Sequence, residues 1–223
     1  MDWREDDTLS AQIRGMSRRQ RHQAAYLALR RLQAPLVSIE MPADWGIDPA
    51  AVTTLLRKGA ARLDGEADEG LAEAIVDISS APLFESEVEP ELTELFQLEA
   101  INGWLLLGNA LGEMSEEQTH EVVGLAREMA TYLDSCMDDS LTVVDGEECR
   151  ERYLAGADER LRAYGLGYFG TRNLEIERAC HEAILAAPGD SHLLESPAGS
   201  RLEAACDEYS SQLLPALRAY AAE

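Results

Sequence analysis

Ala100–Gly112, "AINGWLLLGNALG", is the stretch whose reading decides the fold. It runs for thirteen residues without a charge, in a chain of 223 residues with a formal net charge of −23. A membrane-spanning helix needs about 20 apolar residues, so the stretch is too short to cross a bilayer. Its three glycines, Gly103, Gly108 and Gly112, do not have a phosphate-loop spacing. Leu92, Leu95 and Phe96 precede it, and Ser115 with Gln118 supplies a capping box just after Gly112. The pattern predicts a helix that starts at Pro90, is apolar on nearly all sides and lies at the centre of a bundle. Gly103 and Gly108 then admit close neighbours, at a cost of about 1 kcal/mol each relative to Ala.

Helix signals extend outward from this centre in both directions. Ser17 and Gln20 form a capping box before a helix over 18–33 that Pro35 stops, and Asp48-Pro49 opens a helix reaching about Leu63. Residues 67–79 read as a third helix, and Pro82–Glu89 as a connector. After Ser115, Val122, Leu125, Met129, Leu133 and Cys136 recur at spacings of three and four. Further helices are predicted over 147–164, over about 172–187, and from Ser196-Pro197 to the end, where Pro215 is expected to bend the last one. The only short candidate for a strand is "LTVVD" at 141–145. The fold class is therefore all-α, a single-domain helical bundle of about eight helices over 1–223, with 1–16 as a flexible N-terminal arm.

The composition agrees with this. Hydrophobic residues make up 46% of the chain, enough for a packed core, but aromatics are only 6%, which favours helices built from Leu, Ala and Val. Eighteen of the nineteen basic residues are Arg, a bias typical of a GC-rich bacterial genome; the exception is Lys58. The start, "MDWREDDTLS", is acidic and carries no apolar segment, so a cytoplasmic protein is expected. Cys136, Cys149, Cys180 and Cys206 each fall on an apolar stripe and form no C-x-x-C pair, so they are expected to be reduced core thiols.

The charge is unevenly placed. Between Arg62 and Arg127 there are sixteen Asp and Glu and no Lys or Arg. Such a surface repels nucleic acid and anionic lipid and attracts a basic protein. Asp68, Glu69, Glu73, Asp77, Glu85, Glu87, Glu89, Glu91 and Glu94 are the candidate partner-binding residues, with a toxin-neutralising immunity protein or an inhibitor as concrete versions. The Arg-rich segment "SRRQRHQAAYLALRRL" does not oppose this, because its arginines spread around the helix axis and serve better as internal counter-charge.

Motifs for catalysis are weak. "GLGYFG", Gly165–Gly170, matches G-x-G-x-x-G, but the dinucleotide mechanism needs a strand before it; here a predicted helix precedes, and the run reads as a glycine-rich C-cap and turn. Glu117-x-x-His120 has the spacing of a ferritin-type ligand pair, without the second such motif that a di-iron site needs. Asp134, Asp138 and Asp139 have the spacing by which isoprenoid-condensing enzymes hold magnesium, and they carry the alternative reading, a divalent-metal-dependent helical enzyme. The leading reading has no cofactor and no catalytic residue. A structural subunit of a larger assembly is the third.

The order "RHQAAYLALRRLQAP" (21–35), "PAAVTTLLRKGAARL" (49–63) and "FQLEAINGWLLLGNALGEMSEEQTHEVVGLAREMATYLD" (96–134) resembles the uncharacterised bacterial YjaG-like family, the domain of unknown function 416. The similarity covers about 20–135 and rests on helix order and apolar positions. It implies an all-helical fold and brings no catalytic residues.

Overall fold

The computed structural model describes residues 6–61, 68–85, 90, 92–139, 167–188 and 193–221. They form helices α1 (Asp6–Gly15), α2 (Arg18–Arg30), α3 (Gln33–Ser38), α4 (Pro49–Ala61), α5 (Glu69–Ser79), α6 (Leu92–Asn109), α7 (Glu116–Asp139), α8 (Tyr168–Ala186) and α9 (Pro197–Ala221). Short 3₁₀ turns occur at Ala43–Trp45, Pro82–Glu85 and Leu193–Glu195, and there is no strand among the described residues. The all-α bundle read from the sequence is the fold. The helix expected over 147–164, the strand candidate at 141–145 and Cys149 lie outside the described residues.

Helix α2 is the most enclosed of the nine. His22 to Leu29 are buried without a break, and α6, α7, α8 and α9 pack around the helix. Its arginines sit at the two ends, so the apolar middle "HQAAYLAL" is free to be surrounded. The capping box is formed: Ser17 N–H donates to Gln20 Oε1 at 2.9 Å, and Gln20 N–H to Ser17 Oγ at 3.3 Å. The same Gln20 amide donates to the carbonyls of Ile184 at 2.7 Å and Ala187 at 3.1 Å, which fixes the start of α2 against the end of α8.

Helix α6 is a second core helix. Phe96, Ala100, Ile101, Trp104 and Leu107 are buried, and the Trp104 ring meets Tyr26 edge-on at 5.9 Å. Both glycines act as expected. A Cβ on Gly103 would collide with Leu29 of α2, and one on Gly108 would press on Leu55 at 3.1 Å and Ile75 at 3.2 Å. Asn102 and Asn109 are exposed, however, so α6 keeps one face outside the core. Gly112, at φ 86°, reverses the chain toward α7, where Ser115 and Gln118 form the second capping box.

Three expectations are corrected. Residues 6–15 are not a flexible arm: they form α1, which packs on α7 with Leu9 and Ile13 fully buried, each burial contributing about 2 kcal/mol. Pro35 does not end the helix. The chain breaks earlier, at Arg31–Leu32, and Pro35 falls in the first turn of α3, where its missing N–H leaves no helical bond unmade. Finally, the turn expected across "GLGYFG" gives way to a helix start, with Gly167 the N-cap of α8 and Gly170 inside that helix, while Gly165 and the helix predicted before it lie outside the described residues.

His22 on α2 and His181 on α8 are both buried, and burial holds each down to about 4, against an ordinary value of 6.5. In the unfolded chain they take up protons below pH 6.5, while the folded chain refuses them until about pH 4. Stability contributed by the neutral rings is therefore complete above pH 6.5 and is lost as pH falls toward 4, by on the order of 3 kcal/mol per ring. Urea unfolding at pH 7.5 and pH 5 is expected to show this loss, with a smaller pH dependence in His22→Gln and His181→Gln. Equal slopes in wild type and both variants would contradict it.

Candidate functional site: a buried carboxylate, an acidic face and a groove

The polar residues fall into three groups. In the first, the carboxylate of Glu177 on α8 is fully buried and lies between two arginines. Arg127 of α7 donates from Nη2 at 2.5 Å and from Nε at 3.1 Å, and Arg31 at the end of α2 approaches within 3.8 Å. Beside it, His181 Nδ1 meets Gln12 Oε1 at 2.7 Å. With Arg31 and Arg127 close by, a neutral His181 avoids a third positive charge in the interior. Cys180 and Cys206 are buried next to this cluster as free thiols, and Cys136 is half-buried. The sequence reading missed the ion cluster. Its one visible sign is a carboxylate set in the apolar stripe Leu174, Glu177, Cys180, Ile184.

Asp134 belongs to the same interior. It is 5% exposed, and its two oxygens accept the backbone N–H groups of Phe169 at 2.9 Å and Gly170 at 2.8 Å. The carboxylate thus closes the positive end of α8 from a neighbouring helix, because the N-cap glycine has no side chain to do so. A Cβ on Gly167 would collide with it, so this glycine permits the close approach. The glycine run does build an anion site at a helix start, and a carboxylate of the chain itself occupies it. Asp138 and Asp139 follow on the last turn of α7, their side chains outside the described residues. Among the described residues, no three His, Cys, Asp or Glu side chains converge as metal ligands.

The second group is the outer face of α5. Glu69, Glu73 and Asp77 recur every four residues, and all are exposed. Val76 is 61% exposed beside them, and the following turn adds exposed Glu85 and Phe84, the latter 40% exposed. Asp68 does not share this freedom. It accepts the Leu71 N–H at 3.3 Å as the N-cap of α5 and pairs with Lys58 Nζ at 2.6 Å. Glu94 is half-buried in the first turn of α6, and Glu87, Glu89 and Glu91 lie outside the described residues.

The third group is a groove of about 1020 Å³ between α6 and α7, with Asp6 of α1 also lining it. Glu99, Asn102, Gly103 and Leu106 form the α6 wall, and Glu121, Gly124, Leu125 and Glu128 the α7 wall. Glu99 is half-buried; burial and the charge of Glu128 hold its carboxyl above the usual carboxylate range. Arg127 borders the groove, but its guanidinium turns inward to Glu177. The groove was not foreseen, since its width depends on how two helices pack. Half-buried His120 of the Glu117-x-x-His120 pair lines it.

No protein-family model, curated protein or solved structure matches the chain. The functional reading therefore rests on these three groups. No described helix is long and apolar enough to cross a membrane.

Breaking the buried pair leaves two arginine charges without their carboxylate. Glu177→Gln is expected to lower unfolding free energy by about 3–5 kcal/mol. Asp134→Ala, which frees two buried N–H groups, is expected to cost about 1–3 kcal/mol. Chemical denaturation measures both, and a Glu177→Gln loss below that of an exposed control, Glu128→Gln, would contradict this account of the interior.

Proposed function

We propose that this chain is an acidic helical protein that binds a basic protein partner, with a toxin-neutralising immunity protein or an inhibitor of a nucleic-acid-binding protein as its concrete form. The observation that carries the reading is how the cations are used. Arg31 and Arg127 are turned inward to Glu177, Arg30 pairs with Glu203 and Asp207, and Lys58 is held by Asp68. Besides Lys58, Arg18 and Arg21 are the cations that reach carboxylates of the acidic middle among the described residues, Glu113 at 3.7 Å and Glu116 at 2.7 Å. None of Glu69, Glu73, Asp77 and Glu85 has an ion-pair partner among the described residues.

That face has the two properties which fast and durable association requires. Its like charges steer an oppositely charged partner during approach, and Val76 and Phe84 provide apolar area to be covered in the complex. Nucleic acid and anionic membrane are disfavoured by the same charge.

Affinity capture from native lysate at low salt, followed by a salt gradient, tests the reading with wild type and a Glu69→Lys, Glu73→Lys, Asp77→Lys, Glu85→Lys variant. The positions are exposed, so the helical circular dichroism of the variant is expected to match wild type. A basic protein released by rising salt and retained at least tenfold less by the variant is the expected result. Retention that ignores both salt and charge reversal would overturn it.

A further inference from the structure

We infer that the groove between α6 and α7 is a docking site for a basic amphipathic helix of a partner protein. The inference rests on the reading that the partner is basic, and it adds where and in what form that partner inserts. The size of the groove decides against a small cation. At about 1.5 Å per residue, the stretch of α6 from Glu99 to Asn109 gives a wall about 15 Å long. A helix laid along a wall of that length contacts it over about three turns. Small-molecule pockets run from about 300 to about 1000 Å³ and enclose their ligand, whereas this site is an open trough.

Its lining sets apolar side chains among acidic ones, a combination suited to an amphipathic helix with a basic polar face. Half-buried Leu106 and Leu125 stand on the two walls, and Tyr132, 39% exposed, supplies an aromatic surface toward one end. Asp6, Glu99, Glu121 and Glu128 make the rim negative, and none has an ion-pair partner among the described residues. Lys or Arg side chains flanking the apolar stripe of an incoming helix would meet these four carboxylates. A second copy of the chain is a poor occupant, because each copy carries −23.

Gly124 supplies an independent sign. It stands in the interior of α7, where glycine costs about 1 kcal/mol relative to Ala. Gly103 and Gly108 earn that place by contacts with Leu29 and Leu55, but a Cβ on Gly124 would meet nothing within 4 Å. The folded chain itself gives no packing reason for a missing side chain there. An occupant of the groove gives one.

The test uses the full chain and a fluorescently labelled 18-residue amphipathic peptide of Leu, Lys and Arg, with an equivalent Leu-Glu peptide and spermine as comparisons. Anisotropy is expected to show saturable binding of the basic peptide, weakened by salt, and no binding of the acidic one. Gly124→Phe places a ring in the trough from a position whose Cβ meets open space, so it is expected to keep its thermal midpoint and lose at least tenfold in affinity. Glu99→Lys with Glu128→Lys is expected to lose at least as much. Equal binding by wild type and both groove variants, with loss only on charge reversal of the α5 face, would overturn the groove and spare the basic-partner reading. No saturable binding of the basic peptide to wild type would also overturn the groove. Full competition by equimolar spermine would overturn the helical occupant.

Discussion

The structure depends on one carboxylate. Glu177 has no access to water, and taking such a charge out of water costs several kcal/mol unless donors replace the solvent. Arg127 supplies two of those donors, and Arg31 adds its charge from the other side. These residues come from α7, α2 and α8, so three helices are fixed relative to one another around a single group. The pair need not add much to net stability, because the attraction is offset by the cost of burial. Its importance lies in the penalty for any arrangement that separates the partners.

This interior arrangement governs the surface. Arginines that could have balanced the acidic middle of the chain are used inside, with Glu177, or at the far end, with Glu203 and Asp207. Among the described residues, Glu69, Glu73 and Asp77 of α5 and the carboxylates of the α6–α7 groove have no ion-pair partner, a state that raises self-repulsion and favours association with a positive surface. Asp134 shows the same economy on the acidic side. Its charge is spent on the first N–H groups of α8, inside the protein, rather than displayed for a ligand.

What could be read from the sequence was what neighbouring residues decide. Both capping boxes, the Pro49 start of α4 and the apolar stripe of α7 depend on spacings of three or four, and they stand where the local pattern put them. The close approaches at Gly103 and Gly108 were legible for the same reason, as glycines in an otherwise apolar helix. Residues 6–15 were misread because their acidic residues hide Leu9 and Ile13, whose burial depends on α7 more than 100 residues later. The ion cluster joins positions 50 and more residues apart, and the groove is a gap between helices; neither has a local signature. Of the acidic residues proposed as a partner surface, Asp68 is committed to Lys58 and to the cap of α5, which the sequence alone did not separate from its exposed neighbours.

The central proposal is that the exposed acid of this bundle, above all in the α6–α7 trough, receives a basic helix while the arginine-centred interior stays unchanged. Amide hydrogen exchange of the full chain, with and without the basic amphipathic peptide, measures this directly. The account requires added protection in the segments Glu99–Asn109 and His120–Ser135, with α2 and the Glu177 region of α8 exchanging as before. Protection confined to other segments, or a uniform change that includes α2, would contradict it.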